Sequence, residues 1–526
     1  MKYLKNSLLL IFTAILFSNC KKDLLQTLPN DRISSEIYWK TEKDAILASN
    51  AIYTNLEGVA VFSTWDAMSD IGHITLQWRD ESIMEKGAFD ATLSKVLNEW
   101  NSAYTGIQAA NIFLDKVDQV KTTNKPLIER LKGEVKVLRA YLYIKLAVLY
   151  GDVPLVTTET SLEASRALIR TPVAQVWDFI SKELTGAAVA LPTTQAEKGR
   201  ITKGAALALK ARGMLYAGRY TESAAAAREV MNLNVYSLYP SYEKLFSYAA
   251  ENNQEVILNR EYIKDIQSNN IFTLTTPNSI WPQVNSFVPT KQAVDAYQMS
   301  NGKEIRDPAS GFNPLDPYTN RDPRLKHSIF VLGDVLPNGK IYNSKPGSGT
   351  GDAIGYAENS TATGFNVKKY LNKEDLAQPN NSGINIILLR YAEVLLTYAE
   401  AKIEANQIDA SVLESINQVR QRPDVNMPPI TEVTSQAGLR QVVRQERLVE
   451  LAFEGLRYFD IRRWRIAENV VPGIIYGMTY ADQTGALVTI SLPGFLKIFN
   501  KDRDYLWPIP QRERELNPKL TQNPNW

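Results

Sequence analysis

Catalytic side chains are scarce in this 526-residue chain, whose only histidines are His73 and His327. It has no HExxH helix, no P-loop and no Gly-x-Ser-x-Gly elbow. A histidine-based triad is therefore not expected, and both histidines read as structural. Glycoside hydrolysis needs only two carboxylates several ångströms apart, and 57 acidic residues neither support nor deny such a pair. The run Gly347-Ser348-Gly349-Thr350-Gly351 has no strand leading in and no lysine in register, so it reads as a flexible loop rather than a phosphate cradle. No cofactor is expected, no metal ligands are singled out, and no catalytic constellation is legible.

Binding chemistry is better represented. A protein without cofactors holds a sugar by placing aromatic rings against the apolar faces of pyranoses and by giving amides, Asp or Arg to the hydroxyls. Rings outside helical periods are the candidates: Trp65, Trp78 with its neighbours Arg79 and Asp80, Trp281, and Phe287 with Asn285 nearby. Trp78 and Trp281 are the expected stacking platforms, and Arg79, Asp80 and Asn285 the expected hydroxyl partners. Trp100 and Trp464 fall at helical spacing and are expected in the core.

The densest charged motif starts at Arg444-Gln445-Glu446-Arg447 and continues through Glu450, Glu454, Arg457 and Asp460 to Arg462 and Arg463. Read as one helix, it puts Glu446, Glu450 and Glu454 on one face. Three stacked like charges repel unless cations intervene, so a partly buried structural ion network is expected.

The elements that must position these residues are mostly helices. Apolar residues recur every three or four positions at Asp44–Leu56, Leu97–Val117 and Ile128–Leu149, where Gly151, Asp152 and Pro154 end the run. Thr202 is an expected N-cap. Small Ala211, Gly218 at a turn, Tyr220 and Ala227 form a degenerate tetratricopeptide-like hairpin in which Ser223 replaces the usual alanine. The same grammar returns at Ala399, Asn406, Ile408 and Val412–Arg420. From about 264 to 385 the helical period fades and Pro, Gly, Asn and Ser accumulate, which predicts long loops with short strands.

The N-terminus reads as a bacterial export signal: Lys2 and Lys5, apolar Leu8–Phe17, then Ser18, Asn19 and the sole cysteine, Cys20. The apolar run is too short to span a bilayer, so cleavage before Cys20 and lipidation at Cys20 are expected. Removing residues 1–19 leaves 57 basic against 57 acidic residues. A nucleic-acid binder would show a basic surplus, so no nucleic-acid partner is expected.

Several motifs together resemble the SusD/RagB family of Bacteroidota outer-membrane lipoproteins. They are Leu28-Pro29, Tyr38-Trp39-Lys40-Thr41, the W-x3-Y-x2-I-x3-N pattern of Trp100–Asn111, Arg139-Ala140-Tyr141, Gly151-Asp152-Val153-Pro154-Leu155, Pro289-Thr290 with Asn301-Gly302-Lys303, Asn320–Arg324, Arg390–Glu393, Glu446-Arg447 to Trp464, Leu506–Pro510 and Gln522-Asn523-Pro524. Asn301 stands where the family usually has aspartate.

The resemblance implies a mainly α fold, a SusD-like α-α superhelix of tetratricopeptide-like helix pairs with a loop-rich half containing minor β structure. It implies a signal peptide at 1–19, a helical region at 20–263, a loop-rich region at 264–385 on the ligand face, and a second helical region at 386–526. It also implies a surface lipoprotein, tethered to the outer membrane through Cys20, that binds a glycan and delivers it to a SusC-type TonB-dependent transporter. A peptide ligand and, behind it, a surface glycosidase are the alternatives. No ligand residue follows from the motifs themselves.

Overall fold

The computed structural model describes residues 38–59, 65–282, 287–432 and 435–526. Cys20 with its signal, and Asn285, lie outside the described residues.

The expected helices form, and local chemistry sets their ends. α1 (Glu42–Tyr53) starts at Thr41, whose hydroxyl accepts from Asp44 N while the Asp44 carboxylate accepts from Thr41 N at 2.8 Å, a reciprocal capping box. α2 (Ser94–Lys116) and α3 (Lys125–Tyr150) follow; α3 has Pro126 in its first turn and stops at Gly151, whose φ of 71° suits glycine. α4 (Val173–Ala190) leads to α5 (Lys203–Tyr216), capped by Thr202 as expected, and to α6 (Tyr220–Asn232). α7 (Tyr391–Glu404) and α8 (Ala410–Arg420) repeat the hairpin, with Asn406 taking the positive φ at the turn.

Each helix packs on the next: α3 on α1, α2 and α4, α5 on α4 and α6, α6 on α7, and α7 on α8. Small residues allow the close approach. A Cβ on Gly213 of α5 would meet Ile144 Cδ1 at 3.0 Å. Ser223, in the place of the expected alanine, is buried and donates to the Ala211 carbonyl at 2.7 Å. The carbonyl's second lone pair thus satisfies the hydroxyl, and serine costs the hairpin little.

Among the described residues there are four two-stranded antiparallel sheets. β1 (Gly72–Ile74) pairs with β3 (Phe287–Pro289), β2 (Val256–Arg260) with β6 (Ile386–Arg390), β4 (Ile329–Phe330) with β5 (Asn366–Val367), and β7 (Gly473–Ala481) with β8 (Leu487–Lys497). The last is a long hairpin inside the region whose sequence reads as helical. Its turn is built by the Asp482 carboxylate, which accepts from Thr484 N at 2.8 Å and Ala486 N at 3.1 Å.

A second departure concerns the charged motif. Instead of one helix there are two, α9 (Gln436–Glu450) and α10 (Arg457–Arg463), separated by a break in which Phe453 and Gly455 have φ of 62° and 77°. The buried Asp66 carboxylate holds this break by accepting from Gly455 N and Arg457 N, each at 3.0 Å. Glu454 therefore leaves the helix face that carries Glu446 and Glu450.

The ion network nevertheless exists, and it is fully buried. Glu450 accepts from Arg390 at 2.8 Å, Arg422 at 2.9 Å and Arg324 at 3.0 Å. Glu255 bridges Arg390 and Arg422, Glu446 bridges Arg324 and Arg420, and Glu454 bridges Arg390 and Lys369. With Asp322 on Arg324 the network holds five cations and five anions. Burial alone would favour the neutral Glu450, but its three arginines hold the carboxyl well below the usual carboxylate range. The network ties the loop segment at Asp322–Arg324 and strand β6 to α9, so the loop-rich region is anchored by matched charge as well as by apolar packing.

No helix among the described residues is long and apolar enough to cross a membrane.

Candidate ligand-binding face

The short sheet β1·β3 places the loop tryptophans. Its antiparallel register pairs Gly72 with Pro289 and Ile74 with Phe287. The chain leaving β1 reaches Trp78 four residues after Ile74, and the chain entering β3 passes Trp281 six residues before Phe287. Both loops therefore belong to the same end of the sheet.

Trp78 is 76% exposed. It sits in a turn closed by Arg79 N donating to Leu76 O, just before a short helix at Asp80–Glu85. Its neighbours are committed to structure. Arg79 Nε donates to Glu81 at 3.0 Å, and the Asp80 carboxylate accepts from Lys95 N at 2.7 Å, which satisfies a free amide in the first turn of α2. The expected hydroxyl partners are thus the groups that fix the turn and leave Trp78 standing out.

Trp281 is half-buried, and its indole N–H finds no acceptor among the described residues. Its turn, closed by Trp281 N donating to Pro277 O, is stitched to the glycine-rich loop: Asn278 Nδ2 donates to Gly351 O at 2.8 Å and Ser279 N to Asp352 at 2.8 Å. That loop is itself tied by Ile354 N to Ser344 O and by Ser360 Oγ to Gly351 O. The run that reads as flexible is a hydrogen-bonded support for the Trp281 turn. Four residues beyond Asp352 it presents Tyr356, 61% exposed, a ring that sequence reasoning passed over. The available signal was its place directly after Gly355, a turn-forming glycine whose φ in the structure is 80°.

Two expected site residues belong to the core. Trp65 is 1% exposed, donates its indole N–H to Glu57 at 3.2 Å, and packs on Tyr458, Phe459 and Trp507. Lys95 and Lys145 lie over its ring at 5.1 and 5.9 Å. Phe287 is wholly buried against Phe453, and a Cβ on Gly72 of the paired strand would strike its ring. Lack of helical period misled in both cases, because a short strand and a turn can also be buried. Trp100 and Trp464 are in the core as their spacing predicts, and buried His73 is bonded to Glu85 at 2.9 Å.

A chain of charges links the two environments. Arg79 and Lys95 share Glu81, Lys95 and Lys145 share Glu99, and Lys145 reaches Glu57, the acceptor of Trp65. Burial opposes the charge of Glu99, but Lys145 and Lys95 outweigh it and hold the carboxyl down at about 2.

Known proteins share this architecture. A family model described as the SusD family matches residues 254–526, and one described as starch-binding, associating with the outer membrane, matches residues 65–215. A SusD-like protein of Formosa agariphila is 25% identical, over 98% of this chain and 98% of its own. The crystal structure of a SusD-like carbohydrate-binding protein from Bacteroides fragilis superposes with a TM-score of 0.83 at 28% identity, covering 92% of this chain and all of that one. A laminarin-binding SusD-like protein has the same fold, with a TM-score of 0.71 at 22% identity over 93% of this chain and all of that one.

Proposed function

The chain belongs to the SusD family, and from that premise we propose that it is an outer-membrane lipoprotein, held through Cys20 and facing the exterior, that captures a glycan and hands it to a SusC-type TonB-dependent transporter. Capture is by binding, without turnover. The observation that carries the reading is Trp78, a large ring held in solvent by a turn whose flanking residues are fixed underneath. An exposed indole backed by a rigid support is a low-entropy stacking surface for a pyranose face. Trp281 and Tyr356, in two loops joined by the Asn278–Gly351 and Ser279–Asp352 hydrogen bonds, would extend the platform along an oligosaccharide. The carbohydrate-binding and laminarin-binding names of two structural relatives agree in ligand class.

Titration calorimetry with a panel of neutral oligosaccharides, laminarin oligosaccharides first, tests this. Trp78→Ala or Trp281→Ala is expected to weaken binding of the best panel member by about 1 kcal/mol or more, roughly fivefold. Unchanged affinity in both variants discards the platform, and a peptide bound in preference to every glycan replaces the ligand class.

A further inference from the structure

The ends of α3 and α5, the start of α4, helix α10 and the C-terminal tail line a half-open cavity of about 540 Å³, within the size range of small-molecule sites. Arg170, Arg462 and Arg465 line it together with the rings of Trp177 and Tyr505, and Asp152 is the carboxylate facing it. Arg463, in the same wall, is paired with Glu400 and Asp460. Arg170, Arg462 and Arg465 form no ion pair with a carboxylate among the described residues. Arg170 spends its donors on carbonyls, including those of Asp152 at 2.7 Å and Thr521 at 3.1 Å, and so holds the tail against α3.

Arg462 is half-buried and sparsely bonded. It donates once, to the Asp504 carbonyl, and its Nε and Nη1 have no protein acceptor among the described residues. The guanidinium lies 4.5 Å from the centre of the Tyr458 ring and 5.5 Å from that of Phe499. Arg465 holds a positive φ of 55° and places its guanidinium 4.1 Å from the centre of the Tyr505 ring. Tyr505 is fixed in turn by Phe499 and by donating its hydroxyl to Glu468. The Asp152 carboxylate is occupied in accepting from Val173 N at 2.7 Å. Burial pulls the Arg462 guanidinium below its ordinary value against the opposing effect of Tyr458 and the Asp504 carboxylate, and the Arg465 charge adds to the lowering. Two guanidiniums that line one cavity, neither within ion-pair distance of a carboxylate among the described residues, are complementary to an anion.

We propose that this cavity is a second sugar site, specific for an acidic pyranose. Arg462 and Arg465 take its carboxylate or sulfate group, and Tyr505 and Trp177 bound the ring. The aromatic walls and the volume, larger than a bare oxyanion fills, favour a ring-borne anion over a free one. The site is distinct from the Trp78 platform and stands without it.

A ligand-observed NMR titration of the full-length chain with glucuronic acid, glucose and sodium acetate tests the proposal. Glucuronic acid is expected to bind at least tenfold tighter than either control, and Arg465→Gln to weaken it at least fivefold. Arg462→Gln is expected to do the same; if loss of its ring contacts unfolds that variant, the exposed Arg465 carries the test. Equal binding of glucuronic acid and glucose, or of glucuronic acid and acetate, overturns the site, as does unchanged affinity in Arg465→Gln.

Discussion

Trp65 and Trp78 flank strand β1, thirteen residues apart, and are joined by one chain of alternating charges, yet the first is 1% and the second 76% exposed. Trp65 lies where Tyr458, Phe459 and Trp507 close over it and Lys95 and Lys145 cover its face. Trp78 lies past the strand, where Arg79 and Asp80 turn inward and leave the ring with no cover. A tryptophan in a turn is therefore not in itself a ligand contact. What separates a packing ring from a binding ring is whether the neighbouring polar groups seal it or merely brace it.

The comparison is sharpest where loss of a sealed group unfolds the body. Glu450→Gln leaves Arg324, Arg390 and Arg422 short of their shared carboxylate, and is expected to cost about 3–5 kcal/mol, at the top of that range, in urea denaturation. Trp65→Ala opens a cavity beneath Lys95 and Lys145 and is expected to cost about 3–5 kcal/mol by the same measurement.

A smaller effect concerns Asp66, beside Trp65. Burial, with Glu454 adding to it, raises this carboxyl to about 7 against the pull of the Gly455 and Arg457 amides. The unfolded chain ionises near pH 4, so between about pH 4 and 7 the native state holds a proton the unfolded state has lost. Stability contributed by this group is then present at low pH and lost as pH rises towards 7. Asp66→Asn should flatten that decline, which is on the order of a few kcal/mol. Urea midpoints at pH 5 and pH 8 that differ as much in the variant as in the parent would remove Asp66 from the account.

Much of the scaffold was legible because helix chemistry is local. Thr202, Gly218 and Asn406 announce their caps and turns within a few residues, and α3 follows its apolar spacing from Ile128 to Leu149. The break between α9 and α10 was not legible, since Leu448, Leu451 and Phe459 keep a helical rhythm while the carboxylate that holds the break, Asp66, comes from the other end of the chain. The β7·β8 hairpin was missed because it is mostly solvent-exposed and its apolar residues serve no single buried face. Of the expected binding residues, Trp78 stands free in a loop and Trp281 is half-buried in another, whereas Trp65 and Phe287 are core. Burial of a ring outside a helix depends on strand pairing, and a three-residue strand such as β1 leaves almost no periodicity to read.

The smallest expected effect on stability is also the most telling. Trp78→Ala and Trp65→Phe, measured side by side for urea stability and for calorimetric affinity towards the best-bound neutral oligosaccharide, separate bracing from binding. Trp78→Ala should change stability by no more than about 0.5 kcal/mol and weaken the glycan about fivefold or more, while Trp65→Phe should lose stability and keep its affinity once folded. Full affinity in Trp78→Ala, or a glycan lost only in Trp65→Phe, would contradict the assignment of the binding face.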